Sequence, residues 1–370
     1  MGNITRTGEK PKILVAPLDW GLGHATRCIP IIYELLRLNC EVIIATDGSQ
    51  AKLLKDEFPD LRFVRLRGYK IWYAAGAWKN RVFIGLQIPK LWMRIRQENK
   101  WLNQFIAAEQ PDAIISDNRF GLQTKHVPSI FITHQLHIKS GFVKWVDLIL
   151  ERMNHYYIRK FSACWIPDHE DPYSLAGELS SPFRIKGLPT VMVGPISRFK
   201  PCDKRQQDHL LILLSGPEPQ RSILEKKLLG LSVSMAGSII MVRGLPLETA
   251  LPACPPNVMI HNHVCTEQLN KWICSAAFII CRSGYTTIMD LMILNKKSVL
   301  IPTPGQAEQE YLAERMHLKN WACRLLQEEL SPENLENARA FSFEPFRHEK
   351  SNTLSLVLEN LIQNIKEIRK

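Results

Sequence analysis

The sequence predicts an α/β protein of two Rossmann-like, doubly wound domains facing one another across a crevice. Three observations carry this reading. Apolar runs of strand length alternate with segments of helical periodicity along most of the 370 residues, the pattern of a parallel sheet with crossover helices. The alternation breaks in a polar, basic stretch with two prolines at 194–207 and restarts at His209. Each half also has a glycine turn directly after its first apolar run, at the strand ends where such sheets bind ligands. We therefore expect an N-terminal domain at 1–195, a linker at 196–208, a C-terminal domain at 209–350 and a closing amphipathic helix at 351–370.

In chain order, the first half predicts strands at 12–18, 41–46, 61–66, 113–116, 129–133 and 163–166. A helix follows the first glycine turn through Ile29, Ile32, Leu35 and Leu36, and another lies near 141–160. The second half predicts strands at 209–214, 238–242, 258–260, 277–280 and 298–301, with helices between. Leu354, Val357, Leu358, Leu361, Ile362 and Ile365 recur at helical spacing, an apolar stripe that we expect to pack on the body of the protein. No apolar run approaches the roughly 18 residues of a membrane span. The first ten residues lack the apolar core of a signal peptide, so we expect a cytoplasmic protein. Nine cysteines with no C-x-x-C pair read as reduced thiols rather than a disulfide frame or a zinc knuckle.

Charge is distributed unevenly. The formal net charge is +11, and 62–100 hold ten basic residues against one acid, Glu98. Among them stand Phe63, Tyr69, Trp72, Tyr73, Trp78, Phe83 and Trp92. Basic heads beside amphipathic aromatics suit an anionic membrane surface or a nucleic acid, and equally a solvated helix face over core aromatics.

The first glycine turn holds Gly21, Gly23, His24, Thr26 and Arg27. A strand before it and a helix after it aim backbone N–H groups and a helix dipole at one place, which suits an anion. The dinucleotide fingerprint would need glycine at Thr26, which weakens an NAD reading. His24 at the helix entrance suits a general base; it also suits a cap. Asp117 and His134 end two other strands of the same half, so Asp117 can orient His24 while His134 lines the pocket. In the second half, Arg282-Ser283-Gly284 closes a strand before a helix that begins with Tyr285 and carries Asp290 near its middle. That is a second anion site, with a carboxylate placed for a ribose diol. Gln309 and Glu310 open the next helix, and Ser215-Gly216 forms the second glycine turn. The acid cluster at 168–171, beside Pro172, reads as a solvated turn rather than a magnesium site.

These motifs resemble glycosyltransferase family 28, whose best-known member adds N-acetylglucosamine to a lipid-linked peptidoglycan precursor. Arg282-Ser283-Gly284 matches the family's arginine-small-glycine turn. Asp290 falls on its ribose-binding glutamate, and Gln309-Glu310 on the Gln-Gln pair that contacts the donor sugar, with the second amide replaced by an acid. Gly21-Leu22-Gly23-His24 is similar to the family's N-terminal glycine loop, and Ser215-Gly216 to its second loop near the diphosphate. The resemblance implies a GT-B fold and inverting transfer from a nucleoside-diphosphate sugar, most simply a UDP-sugar, with no metal. It implies His24 as base assisted by Asp117, and Ser215, Gly216, Arg282, Ser283, Gly284, Tyr285, Asp290, Gln309 and Glu310 as the donor site. Gly21, Gly23, Thr26, Arg27 and His134 fall on the acceptor side. The acceptor would be lipid-linked or a glycan, at the inner face of an anionic membrane. A nucleotide-sugar hydrolase or epimerase would share the donor site without an acceptor. A nucleic-acid-binding protein would use the basic stretch but leave both glycine loops without a role.

Overall fold

The computed structural model describes residues 9–70, 85–201, 209–346 and 352–369. The first domain is a seven-stranded parallel sheet of β1 (Lys12–Pro17), β2 (Glu41–Thr46), β3 (Arg62–Arg65), β4 (Ala113–Asp117), β5 (Ser129–Ile132), β6 (Ala163–Ile166) and β7 (Thr190–Met192), in the order β3-β2-β1-β4-β5-β6-β7. Its helices are α1 (Gly23–Arg37), α2 (Gly48–Glu57), α3 (Ile88–Glu109) and α4 (Lys144–Ile158). The second sheet has six parallel strands, β8 (His209–Leu213), β9 (Ser238–Val242), β10 (Val258–His261), β11 (Ala276–Cys281), β12 (Ser298–Leu300) and β13 (Cys323–Arg324), in the order β10-β9-β8-β11-β12-β13. With it go α5 (Gln220–Ser232), α6 (Thr266–Ser275), α7 (Tyr285–Ile293), α8 (Ala307–Leu318) and α9 (Pro332–Arg339). The chain ends in α10 (Thr353–Ile368).

The central strands are apolar throughout because helices cover both of their faces. Ile13 and Val15 of β1 pack with Ile29, Ile32 and Leu35 of α1, whereas Leu14 and Ala16 pack on the opposite face with Leu102 and Phe105 of α3. The period-2 alternation of side chains thus feeds two cores rather than one core and solvent. Helix α10 returns across the molecule to the first domain, where Leu358, Leu361, Ile362 and Ile365 join the α1 core. Arg369 then fixes its end through Asp112 Oδ1 at 2.8 Å.

Three features differ from the expectations. Strands β7 and β13 span only three and two residues, too few to show a period. Of the basic stretch, 71–84 with Trp72, Tyr73, Trp78 and Phe83 lie outside the described residues, and 88–100 belong to helix α3, in which Glu98 is buried and accepts from Arg119 Nε at 2.5 Å. Cys274 is disulfide-bonded, which corrects the reading of nine reduced thiols; 202–208 of the expected linker lie outside the described residues. The linker residues that are described bridge the domains: Ile196 joins the α1 core while its N donates to Met289 Sδ, and Phe199 packs in the second domain's core, where Lys200 N donates to Asn270 Oδ1.

Candidate functional site

Both sheets reverse strand order beside their first strand, between β1 and β4 and between β8 and β11, and a crevice opens at the carboxyl ends of such switch points. The glycine turn at 19–23 leaves β1, Asp117 closes β4, Ser215-Gly216 leaves β8 and 282–284 leave β11. Topology alone therefore brings together residues about 90 to 260 positions apart in the sequence.

Helices α1 and α7 meet at their first turns. Thr286 Oγ1 donates to Gly23 O at 3.2 Å, and a Cβ on Gly23 would stand 3.1 Å from Thr286 Oγ1, so glycine permits this approach. Neither helix has a side-chain cap or an acid in its first turn, so the positive ends of both dipoles are left for an anion. Gly216, at φ +101, sits in a conformation that favours glycine, and a Cβ there would meet only Thr303 Oγ1, at 3.8 Å. A Cβ on Gly284 would meet nothing within 4 Å. There is open space in front of both donor-side loops.

On the first domain's wall, His24 Nδ1 lies 3.0 Å from Asp117 Oδ1. Arg27 Nη2 lies 3.1 Å from the same nitrogen, so Nδ1 sits between an acceptor and a donor; with Nδ1–H donating to the carboxylate, Nε2 is the nitrogen that can accept a proton. Arg27 was expected at the anion loop, and the structure corrects this. Its guanidinium turns inward, 1% exposed, donating through Nε to Asp117 Oδ2 at 2.9 Å and through Nη2 to Oδ1. Burial alone would raise the Asp117 pKa, but Arg27 and His24 hold the carboxyl well below the usual carboxylate range. Thr26 is also turned from the crevice, its hydroxyl donating to Gly23 O within α1 at 3.0 Å.

His134 joins the two walls. Its ring stacks on Tyr285 at 3.9 Å between centroids, and Nε2 lies 2.8 Å from Glu308 Oε1 at the start of α8. Burial lowers its pKa, against the pull of Glu308. The neutral ring then donates from Nε2 to Glu308 and accepts at Nδ1 from Arg27 Nη1 at 3.5 Å, so neither nitrogen is left for a substrate proton. Glu308 was missed in the sequence. It directly precedes Gln309, and nothing local sets it apart from other acids in a helical first turn.

The second wall is built largely of backbone. Arg282, expected at the donor, instead points into the domain, 1% exposed. It donates to the carbonyls of Gln220 (2.8 Å) and Pro302 (3.0 Å) and to Gln327 Oε1 (2.7 Å), and burial pushes its pKa down to about 10. The Tyr285 hydroxyl donates to Pro167 O at 2.8 Å, so only its backbone faces the loop. Ser283 Oγ donates to Gln309 O, Gln309 Oε1 accepts from Thr303 N, and Glu310 Oε1 accepts from Gly305 N; these contacts shape the 303–310 turn. Gln220 Oε1 and Thr303 Oγ1 are buried without a partner, polar atoms that a bound ligand or water would satisfy. Asp290 Oδ1 accepts from Ser197 Oγ at 2.5 Å, and burial raises its pKa to about 7, against Ser197 and Arg198. Asp168, expected in a solvated turn, is fully buried and anchors the 168–180 loop through Ser174 Oγ, Ser180 Oγ and Leu175 N, each at 2.7 Å.

Residues 261–355 match the glycosyltransferase family 28 C-terminal domain. An uncharacterized glycosyltransferase of Methanosarcina acetivorans is 24% identical over 324 residues, 81% of each chain. Among solved structures, the glycotransferase of kitacinnamycin superposes with a TM-score of 0.61 at 14% identity, covering 97% of this chain and 96% of that one. Acinetobacter baumannii MurG superposes with a TM-score of 0.53 at 15% identity, covering 96% and 100%. The fold is GT-B, as the motifs implied, and with the match over its second domain it supports a glycosyltransferase.

Proposed function

We propose that the protein transfers a sugar from a UDP-sugar to a lipid-linked or glycan acceptor, with inversion, at the inner face of an anionic membrane. The observation that carries the catalytic part is the His24–Asp117 pair, set at the switch point of one sheet and facing the uncapped start of α7 in the other. Asp117 holds the Nδ1–H tautomer, and Nε2 removes the proton of the attacking hydroxyl. The first-turn amides of α7 and the amides of Ser215 and Gly216 bind the diphosphate and stabilise it as negative charge grows on the leaving oxygen. On this reading these amides do what a metal ion does in other transferases, and no metal is assigned.

The donor uridine would rest on the second wall, with its ribose diol on the Asp290 carboxylate. Ser197 engages only Oδ1 of that group, so Oδ2 is left to accept from a ribose hydroxyl. Gln309 and Glu310 would meet the sugar where the family has its amide pair. The test is incubation with labelled UDP-sugars. Transfer to an added acceptor supports the reading; release of free sugar that no acceptor suppresses would sink it in favour of hydrolysis.

A further inference from the structure

Two acids stand at the end of the second wall that lies nearest the catalytic pair. The first turn of α8 holds Glu308 and Glu310, and the turn leading into it touches both donor-side loops. Ser283 Oγ donates to Gln309 O at 2.8 Å, and Thr303 Oγ1 lies 3.8 Å from where a Cβ on Gly216 would stand. With a diphosphate on those loops and the attacking hydroxyl at His24, the donor sugar has to stand beside the start of α8. Acids in a helical first turn commonly do no more than offset the dipole. Glu308 does something else, because it reaches across to the other domain.

Its Oε1 is held by His134 Nε2, and the His134 ring is itself fixed flat on Tyr285, 8° from parallel. Burial would raise the Glu308 pKa, but the His134 hydrogen bond and the charges beyond it hold the carboxyl below the usual range. The Glu308 side chain stays 35% exposed, and among the described residues Oε2 has no partner. His134, kept neutral by burial, gives the carboxylate a donor without cancelling its charge. The cations around it are committed elsewhere. Arg27 is clasped to Asp117, Lys139 Nζ donates to Glu178 Oε2 at 2.6 Å, and Arg315 Nη2 donates to Ser174 O at 2.8 Å. The sugar end of the crevice is thus lined by carboxylate with no cation left to pair. Such a surface accepts from hydroxyl groups and opposes a second carboxylate.

We propose that Glu308, positioned by His134 and reinforced by Glu310, is a charge filter that admits donors with an uncharged sugar and rejects those whose sugar carries a carboxylate. The filter rests on the reading of the crevice as a UDP-sugar site. A hexose or N-acetylhexosamine offers Oε2 a hydroxyl hydrogen. A hexuronate brings a second negative charge into a partly dehydrated site without a counter-ion, and specificity then comes from repulsion of the wrong ligand as much as from attraction of the right one. His134 is a positioning residue, since it acts through Glu308. It belongs to the first domain, so the filter is complete only when the two walls are closed on each other.

Donor pairs that differ only at C6 decide it: UDP-glucose against UDP-glucuronate and UDP-galactose against UDP-galacturonate. Their affinities are measured on the full chain by competition with UDP, and their transfer with an added acceptor. In the wild type the neutral member of the better-bound pair should be preferred by at least about 100-fold. Glu308→Gln with Glu310→Gln keeps a hydrogen-bond acceptor at both places and removes the charge. It should narrow that ratio at least about ten-fold, chiefly by tighter binding of the uronate. His134→Phe keeps the ring on Tyr285 but releases Glu308, and should narrow the ratio in the same direction, with partial recovery in His134→Gln. A merely structural role for His134 would lower the melting temperature and leave the ratio where it was. Equal affinity of the wild type for both members of each pair overturns the proposal, and so does a ratio unmoved in the double glutamine variant. Discrimination in binding without transfer keeps the filter and sinks the transferase reading; transfer without discrimination does the reverse.

Discussion

Each wall of the crevice buries one aspartate, and the two are held in opposite ways. Asp117 is clasped by the Arg27 guanidinium and His24, which hold it ionised although burial opposes charge. Asp290 has a single hydroxyl bond from Ser197, and burial raises its pKa to about 7. The difference follows from what surrounds each group. The first wall is a network of paired charges around a histidine, which suits proton transfer. The second is built of helix ends and carbonyls, with a carboxylate poised to gain partners, which suits binding an anion and a diol. On the proposed function, chemistry and recognition are divided between the domains.

The strongest way to test that division is to remove the imidazole. His24→Ala should lower turnover on the order of 10²–10⁴-fold at saturating acceptor, while UDP affinity in calorimetry stays as in the wild type. A comparable loss of UDP binding would mean that the first wall also recognises the donor.

The same substitution at both aspartates should act with opposite sign on stability. Asp117→Asn leaves Arg27 buried without its counter-charge and should cost about 3–5 kcal/mol in urea unfolding. Because the Asp117 pKa is depressed, its contribution is present above the unfolded value of 3.8 and is lost as pH falls below it. Asp290 runs the other way. Its pKa is raised, so between pH 3.8 and about 7 the folded state holds a proton that the unfolded chain has lost. Stability therefore falls as pH rises through that window, and the penalty is complete above it. Asp290→Asn should gain on the order of 1–3 kcal/mol at pH 8, with the gain vanishing near pH 4. It should also abolish a rise in UDP affinity between pH 6 and 8, expected in the wild type as the carboxylate forms. A stabilised variant with unchanged UDP affinity would free Asp290 from any ribose role.

Periodicity made most of the scaffold legible, because a doubly wound sheet writes its core as apolar runs whatever the tertiary detail. It predicted α4 as a helix and gave α10 an apolar stripe, but not where the apolar residues of α4 point. Leu358, Leu361 and Ile362 of α10 are buried in the first core, while Leu148 and Ile149 of α4 face solvent. The decision lies with Asn154 and His155, whose carbonyl partners belong to the loop after β5. The glycine turns, His24 and Asp117 were legible because strand ends define a crevice. Arg27 and Arg282 were misplaced for a related reason. A guanidinium beside a glycine loop suits either a phosphate or a buried partner, and the partners here come from distant strands and turns. Glu308 gains its interest only from His134, 174 residues earlier.

The smallest expected effect concerns the contact between the walls themselves. Adding a methyl in Gly23→Ala places Cβ 3.1 Å from Thr286 Oγ1 and 3.4 Å from Thr286 Cβ, a crowding that the hydroxyl can relieve only by moving. Alanine in the first helical turn recovers part of the cost through its better helix propensity, about 0.5–1 kcal/mol over glycine. Net stability should therefore change by less than about 1 kcal/mol. The effect should fall instead on closure of α1 against α7: a rise in KM for both substrates, with UDP affinity changed much less, since UDP alone needs only the second wall. Removing the opposing hydroxyl in Gly23→Ala with Thr286→Ala should restore KM, giving a coupling in a double-mutant cycle of about 0.5 kcal/mol or more. Purely additive effects would show that the two walls meet without their contact mattering to substrate capture.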